Sequence, residues 1–177
     1  MVLKQAMKKI DKYIRDKQVV AHWCDEKKIR GQILAQSKDT LVLHQVDEWH
    51  FDGFLILAKK IVSNIQYGSL EIFQEKVLRS EHPKVRSKIP SWLDCSDWNS
   101  MLTSLKNKQV PVCVQGKPKA RNFAIGLVDK IDDKIITLIE INTKAKLCKT
   151  ETTISRKNIA YIFFGDEYSS VLSKHIR

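Results

Sequence analysis

Short runs rich in Val, Ile and Leu alternate with polar turns along most of the chain, and this pattern predicts β-strands. In the first half, such runs cover residues 18–24, 29–35, 40–46, 54–58 and 61–67. In the second half they cover residues 110–115, 123–130, 135–142, 148–154 and 159–164. We therefore expect five strands in each half.

An amphipathic segment precedes each set of strands. Residues 3–16 place Leu3, Met7, Ile10 and Ile14 on one side of a helix and lysines on the other. A second helix is predicted to begin near Ser96 or Asp97, both of which can cap a helix. Residues 69–79 predict a third helix, which leads to a linker between the two prolines at 83 and 90. The predicted domains are residues 1–82 and 92–177, joined by residues 83–91.

The two halves repeat one another at a slowly growing offset. Residues 17–19 (Lys-Gln-Val) recur at 108–110, an offset of 91 residues (109 − 18). Residues 31–43 match 126–138 at an offset of 95 (126 − 31), and residues 57–68 match 154–165 at an offset of 97 (165 − 68). Because the added residues fall in polar loops such as 115–122, the pattern indicates a duplicated unit.

Each unit is expected to form a small barrel. Gly31 and Gly126 lie in the middle of the second strand of their units, where a sharp bend or the close approach of a neighbouring strand is expected. A bent five-stranded sheet of this kind closes most economically on itself. The predicted fold class is mainly β with short helices (α+β): two tandem five-stranded barrels, each preceded by an N-terminal helix.

The segment Ile29-Arg-Gly-Gln-Ile33, with an aliphatic run ten residues later, resembles the Sm-like fold, including the bacterial RNA chaperones of that class. The resemblance covers about 60 residues of each half, and other barrels of SH3-like type share nearly the same pattern. It implies rings of subunits and RNA contacts in two turns, one of which maps to Lys59-Lys60 and Arg156-Lys157. The tyrosine-lysine-histidine signature of the bacterial chaperones and the aspartate-x-x-x-asparagine pairing of the eukaryotic members are absent. The resemblance therefore bears on the fold more than on RNA recognition.

The net charge of +11 is spread over both halves and would attract phosphate backbones. The candidate nucleic-acid-binding residues are the repeat-equivalent basic turns and a basic loop: Lys59, Lys60, Arg156, Lys157, Lys117, Lys119 and Arg121. The competing interpretation of each turn is a solvated connection between strands. In the predicted loop between the third and fourth strands, Trp49, His50 and Phe51 are candidates for binding a protein partner. The alternative is that these rings cover the end of the barrel.

Nothing in the sequence points to catalysis. There is no nucleophile elbow and no glycine-rich phosphate loop, and the histidines and cysteines lack the spacing of metal ligands. We therefore expect no enzymatic activity, cofactor or metal. The predicted function is a binding module for RNA or single-stranded nucleic acid. The alternative is a protein-interaction module such as a bacterial immunity or adaptor protein.

Assembly and location complete the sequence-based expectations. If the two units mimic neighbouring subunits of a ring, further copies would join to form a homo-oligomer. The apolar runs are far shorter than the roughly 18 to 20 residues of a membrane span, so no membrane partner is expected. The first ten residues mix lysines with apolar residues, whereas a signal peptide keeps its charges ahead of an uninterrupted apolar stretch. This difference predicts a cytoplasmic location.

Overall fold

The computed structural model describes residues 9–24, 27–83, 87–117 and 123–176, which form one antiparallel sheet of ten strands together with four α-helices. The elements of the first half are α1 (Ile10–Arg15), β1 (Val19–Cys24), β2 (Lys27–Gln36), β3 (Thr40–Asp47), β4 (His50–Ala58), β5 (Val62–Gln66) and α2 (Ser69–Glu81). Those of the second half are α3 (Trp98–Lys108), β6 (Val112–Gly116), β7 (Phe123–Ile131), β8 (Ile135–Ile141), β9 (Leu147–Ser155), β10 (Ile159–Phe164) and α4 (Glu167–His175). A 3₁₀ turn follows β4 (Lys59–Ile61) and another follows β9 (Arg156–Asn158).

The predicted mainly-β class with short helices is confirmed, and all ten predicted strands are present. The helix predicted at residues 3–16 is seen only as α1, because residues 1–8 lie outside the described ranges. The second N-terminal helix begins where predicted, since the Asp97 carboxylate accepts a hydrogen bond from the Ser100 backbone N–H at 2.9 Å.

Two local predictions differ from the structure. The sequence predicts a polar and aromatic connection over residues 47–53, but β4 already begins at His50, and β3 and β4 join through a tight turn at Glu48 and Trp49. Glu48 has a φ of 44°, the left-handed conformation that such short hairpin turns require. The helix α4 is not predicted by the sequence analysis at all.

The two halves have the same strand order. The order across the sheet is β5-β1-β2-β3-β4 followed by β10-β6-β7-β8-β9. The halves join where β4 pairs antiparallel with β10, from Leu57 opposite Tyr161 to Phe54 opposite Phe164. β5 pairs only with β1, and β9 only with β8, so within the described residues the sheet is open at both ends. Because β4 bonds to β10 and not to the last strand of its own half, strand pairing does not close either half by itself.

The strands at the junction are buried on both faces. Along β4, Leu55 and Leu57 lie in a core with α1, whereas Ile56 lies in a second core with α3. On β10, Phe163 packs against the first core and Ile162 lies in the second. Successive side chains of a strand point to opposite faces, so the continuous apolar runs of β4 and β10 follow from this double burial. The two cores therefore share the strands of the junction and do not divide cleanly between the halves.

The two mid-strand glycines lie against a neighbouring backbone, as predicted. A Cβ atom at Gly31 would lie 2.8 Å from the carbonyl oxygen of His44, and one at Gly126 would overlap the carbonyl group of Ile139. Both contacts join the second strand of a half to its third strand. The close approach is therefore a repeated feature of the two halves.

The described end of the predicted linker packs against the second core. Ile89 of the linker packs against this core, and just beyond the linker Leu93 is buried and the ring of Trp92 lies 5.7 Å from the ring of Phe164. No helix in the described ranges has both the length and the apolar character that a membrane crossing requires.

Candidate nucleic-acid interface

The two basic turns predicted from the repeat lie side by side in the structure. We call Lys59–Ile61 the first basic turn and Arg156–Asn158 the second basic turn. The first follows β4 and the second precedes β10, and the pairing of these two strands brings the turns together. The Lys60 ammonium donates a hydrogen bond to the carbonyl oxygen of Lys157 at 3.1 Å. Positions separated by 97 residues in the sequence (157 − 60) are thus in direct contact.

A surface cavity of about 330 Å³ lies between the two turns. Its lining combines four basic residues, two aspartates, an alanine and a tryptophan: Lys59, Lys60, Arg156, Lys157, Asp39, Asp133, Ala58 and Trp98. Trp98 is the first residue of α3 and is half-buried, so its position is fixed by the Asp97 cap. The cavity therefore offers cations, hydrogen-bond acceptors and an aromatic ring in one place.

The ammonium of Lys59 is engaged within its own half. It donates hydrogen bonds to the Gln36 side-chain oxygen at 2.8 Å and to the Ser37 carbonyl oxygen at 2.6 Å. The Lys59 backbone N–H donates to the carbonyl oxygen of Asp39 at 2.8 Å. Burial lowers the pKa of Lys59, and the nearby Asp39 carboxylate opposes this effect. Lys59 thus fastens the first basic turn to the turn between β2 and β3.

Arg156 plays the equivalent part in the second half. Its Nη1 donates to the carbonyl oxygen of Asp132 at 2.9 Å, and its backbone N–H donates to the carbonyl oxygen of Lys134 at 2.8 Å. These contacts fasten the second basic turn to the turn between β7 and β8. The first residue of each basic turn is therefore engaged in holding the local fold.

Lys60, Lys117 and Lys157 have N–H donors left for a ligand, since in the described part of the structure Lys60 uses only one of its three donors, on the Lys157 carbonyl oxygen. Within the described ranges, the side chains of Lys117 and Lys157 make no hydrogen bond or salt bridge. Lys117 is held beside the second basic turn, because its backbone N–H donates to the carbonyl oxygen of Asn158 at 2.8 Å. Burial is the main cause that lowers the pKa of Lys60, and the charge of Lys117 lowers it further. A bound anion would relieve the repulsion between these two ammonium groups.

The other two candidates, Lys119 and Arg121, lie outside the described residues. Five of the seven predicted residues are therefore assembled at the junction. Four of them line the cavity together with two carboxylates, those of Asp39 and Asp133, so the cleft has a surplus of positive charge.

The three aromatic candidates lie at the other end of β4, about 25 Å from the first basic turn at the usual rise per strand residue. Trp49 is 45% exposed, and its ring packs edge-on against Phe73 with centroids 5.8 Å apart. Phe51 instead points inward and stacks on His44 at 4.3 Å. The basic and aromatic candidates thus form two separate surfaces.

His50 is exposed, and one ligand atom each from Asp47, His50 and Asp52 lie within 4.8 Å of one another. Asp52 already accepts a hydrogen bond from the Glu167 backbone N–H at 2.9 Å. One exposed carboxylate, one half-buried carboxylate and one exposed histidine do not by themselves define a metal centre.

Three residues of this surface, Trp98, Asp39 and Asp133, are not among the predicted site residues. The helix cap at Asp97 is a usable signal for Trp98, because it fixes the position at which α3 begins. The two aspartates lie in polar turns of different halves, which only the pairing of β4 with β10 brings together. Comparisons with models of protein families, with curated proteins and with solved structures found no match to this chain.

Proposed function

We propose that this chain is a non-enzymatic binding module that binds RNA or another single-stranded nucleic acid in the cleft between the two basic turns. One observation carries the proposal: repeat-equivalent basic turns converge at the junction, where Lys60, Lys117 and Lys157 form an excess of positive charge. Lysines bind phosphate oxygens as point charges, without the fixed geometry of a guanidinium group.

The other residues of the cleft suggest how a nucleotide would be held. The half-buried ring of Trp98 is a surface on which a base can stack, a contact that tolerates any sequence. The carboxylates of Asp39 and Asp133 are acceptors for exocyclic amino groups. A backbone phosphate would then lie near Lys60 and Lys157, on the exposed side of the cleft.

We also propose that each half is a unit of the Sm-like or SH3-like type, opened at the junction so that its neighbour supplies the next strand. The shared strand order, the equivalent glycines Gly31 and Gly126, and the 3₁₀ turn before the last strand of each half support this relation. The two types of barrel remain alternatives.

The test is a salt titration of binding to a fluorescently labelled single-stranded RNA, read by anisotropy. The double variant Lys60→Met, Lys157→Met should reduce the slope of log affinity against log salt by about 1.4, since each lost phosphate contact accounts for roughly 0.7 in single strands. The matched control is Lys144→Met, Lys146→Met, which removes two exposed lysines from the turn between β8 and β9. The control should leave the slope within experimental error of the original protein.

Two outcomes would contradict the proposal. Absence of RNA binding by the original protein at low salt would remove the function itself. An equal loss of slope in the control would mean that net charge alone attracts RNA and that the cleft is not the site.

The open ends of the sheet favour a second proposal, that copies of the chain associate head to tail. By the repeat, β5 is equivalent to β10 and β9 is equivalent to β4, and β10 pairs with β4 inside the chain. The exposed ends are more polar than the junction, with Ser63 and Gln66 on β5 and Glu151 and Thr153 on β9. Main-chain hydrogen bonds would thus supply most of the attraction, which predicts weak, concentration-dependent association.

A further inference from the structure

The helix α2 buries two polar residues against the sheet beside the apolar Leu78, while large apolar residues of the same helix stay exposed. Glu71 and Gln74 are buried, with Glu71 fully enclosed. The Glu71 carboxylate accepts a hydrogen bond from the Gly68 backbone N–H at 3.0 Å, and the Gln74 side-chain amide donates to the carbonyl oxygen of Glu48 at 2.6 Å. The neighbouring Glu75 accepts a hydrogen bond from the Val19 backbone N–H at 2.7 Å. The helix is thus held to the sheet by these polar contacts together with Leu78, which packs with Val19 and Val46, whereas an ordinary surface helix buries an apolar stripe.

Apolar side chains consequently remain on the outer side of α2. Leu70 and Phe73 are 46% and 55% exposed, and Val77 continues the same stripe at helical spacing. Trp49 of the β3–β4 hairpin packs edge-on against Phe73 and extends the stripe onto the sheet. We call Trp49, Leu70, Phe73 and Val77 the α2 patch.

A cavity of about 300 Å³ adjoins the α2 patch, lined by Trp49, Leu70, Gln74, Glu48 and Arg30. The Arg30 side chain is 30% exposed, and its one ionic contact joins Nε to Glu71 at 3.9 Å. Glu71 is also shared with Lys28, whose ammonium lies 3.6 Å away. Among the described residues Arg30 makes no hydrogen bond, and its Nε atom is buried without an acceptor. A guanidinium that shares Glu71 with Lys28 and makes no hydrogen bond in the described part of the chain thus borders an apolar surface.

We propose that the α2 patch docks a short segment of a partner protein that combines apolar side chains with a carboxylate. The apolar side chains would cover Trp49, Leu70 and Phe73, and the carboxylate would enter the cavity and bind Arg30. The exposed Glu48 opposes an incoming carboxylate only weakly, because solvent screens it more than the half-buried Arg30.

The size of the α2 patch favours a short segment over a second copy of the chain. From the exposed fractions, Trp49, Leu70 and Phe73 offer roughly 300 Å² of surface in total, on the scale of a functional patch. A stable dimer buries about 800 Å² on each partner. A single peptide segment lying along α2 matches the area that is present.

The probe is a labelled, terminally blocked peptide designed to form a helix, with Leu and Phe at spacings of three and four and Glu at the positions between. A second peptide has Gln in place of every Glu. Binding to the full chain is measured by fluorescence anisotropy for the original protein, Phe73→Ser and the matched control Phe123→Ser. Phe123 is 61% exposed on β7, far from α2 in the sequence, so its replacement removes an exposed ring outside the α2 patch.

We expect the Glu peptide to bind the original protein and the Phe123→Ser variant equally, and the Phe73→Ser variant about tenfold more weakly. The Gln peptide should bind the original protein about tenfold more weakly than the Glu peptide, because the charge-assisted bond to Arg30 is lost. RNA affinity, measured in parallel, should be the same for all three proteins, which separates this site from the basic cleft.

Absence of peptide binding, or equal binding to the Phe73→Ser variant, would overturn the assignment of the surface. Equal affinity for the two peptides would overturn the role of Arg30. Self-association of the original protein that is lost in Phe73→Ser would identify a second copy as the occupant, contrary to the proposal.

Discussion

We expect His22 to make the stability of this protein sensitive to acid. The residue lies on β1 and is fully buried, with Ile29 and Ile65 opposite it on the two neighbouring strands. Within the described residues, neither ring nitrogen has a hydrogen-bond partner. Burial without a partner penalises the charged imidazolium and lowers the pKa of His22 from 6.5 to about 3. The folded protein therefore keeps this histidine neutral at pH values where the unfolded chain protonates it.

The sign and size of the effect follow from proton linkage. Between pH 6.5 and 3 the unfolded state binds the extra proton, so stability falls as the pH is lowered through this window. At pH 5 the unfolded imidazole is almost fully protonated and the folded one almost fully neutral. At 1.36 kcal/mol per pH unit over 1.5 units, the loss relative to pH 8 is about 2 kcal/mol. It approaches about 5 kcal/mol as the pH nears 3.

Urea unfolding at pH 8 and pH 5 provides the measurement. The variant His22→Leu removes the titrating group while preserving approximate volume, so its free energy of unfolding should fall by about 2 kcal/mol less between the two pH values than that of the original protein. His44 contributes its own acid sensitivity, since burial lowers its pKa to about 4, but this is common to both proteins and cancels in the comparison. His175→Gln, an exposed control, should retain the full pH dependence. Parallel pH profiles for His22→Leu and the original protein would refute the reasoning.

Three further predictions concern the second strand, the basic turns and the sheet ends. Gly126→Ala should lower the free energy of unfolding by about 3 kcal/mol in the urea assay, because the new Cβ would overlap the carbonyl group of Ile139. Gly68→Ala is the control: its Cβ would have no contact under 3.5 Å, so the free energy of unfolding should change by less than about 1 kcal/mol. Lys59→Met should lower stability by about 1 to 2 kcal/mol with little loss of RNA affinity, and Lys157→Met should do the reverse; similar affinity losses in both would contradict the division of roles. Light scattering should show a mass that rises with protein concentration if β5 and β9 pair between copies, whereas the mass of a single chain at every concentration would exclude head-to-tail association.

Most of the secondary structure of this chain can be predicted from local sequence patterns. The β-rich runs fix the strands because branched apolar residues suit a pleated, half-buried surface, and the Asp97 cap fixes the start of α3. The helix α4 was missed because its exposed face carries Tyr168 and Val171, which weakens the contrast between its two sides. The hairpin turn at Glu48 was missed because a glutamate seldom adopts a positive φ.

The pairing of the two halves was beyond sequence reasoning. Nothing local to β4 distinguishes bonding with β5 from bonding with β10, since both choices bury the same apolar run. The repeat correctly identifies Lys59 and Arg156 as equivalent positions. Both side chains donate hydrogen bonds to carbonyl oxygens of a neighbouring turn, so what the two positions share is a structural contact and not a ligand-binding role. The cluster of Lys60, Lys117 and Lys157 depends on a contact between residues about 97 positions apart, which only the folded chain reveals.

Because the junction strands are buried on both faces, the folding of each half depends on the presence of the other. A chain severed near residue 91 would leave β4 paired only with β3 and Ile56 without the second-half residues that cover it. In the other fragment, β10 would be paired only with β6. Neither fragment would hold its native shape alone, but the two synthesised together should recombine through those strands. Because each half supplies one of the two basic turns, the cleft between them should be recovered only when the two fragments recombine.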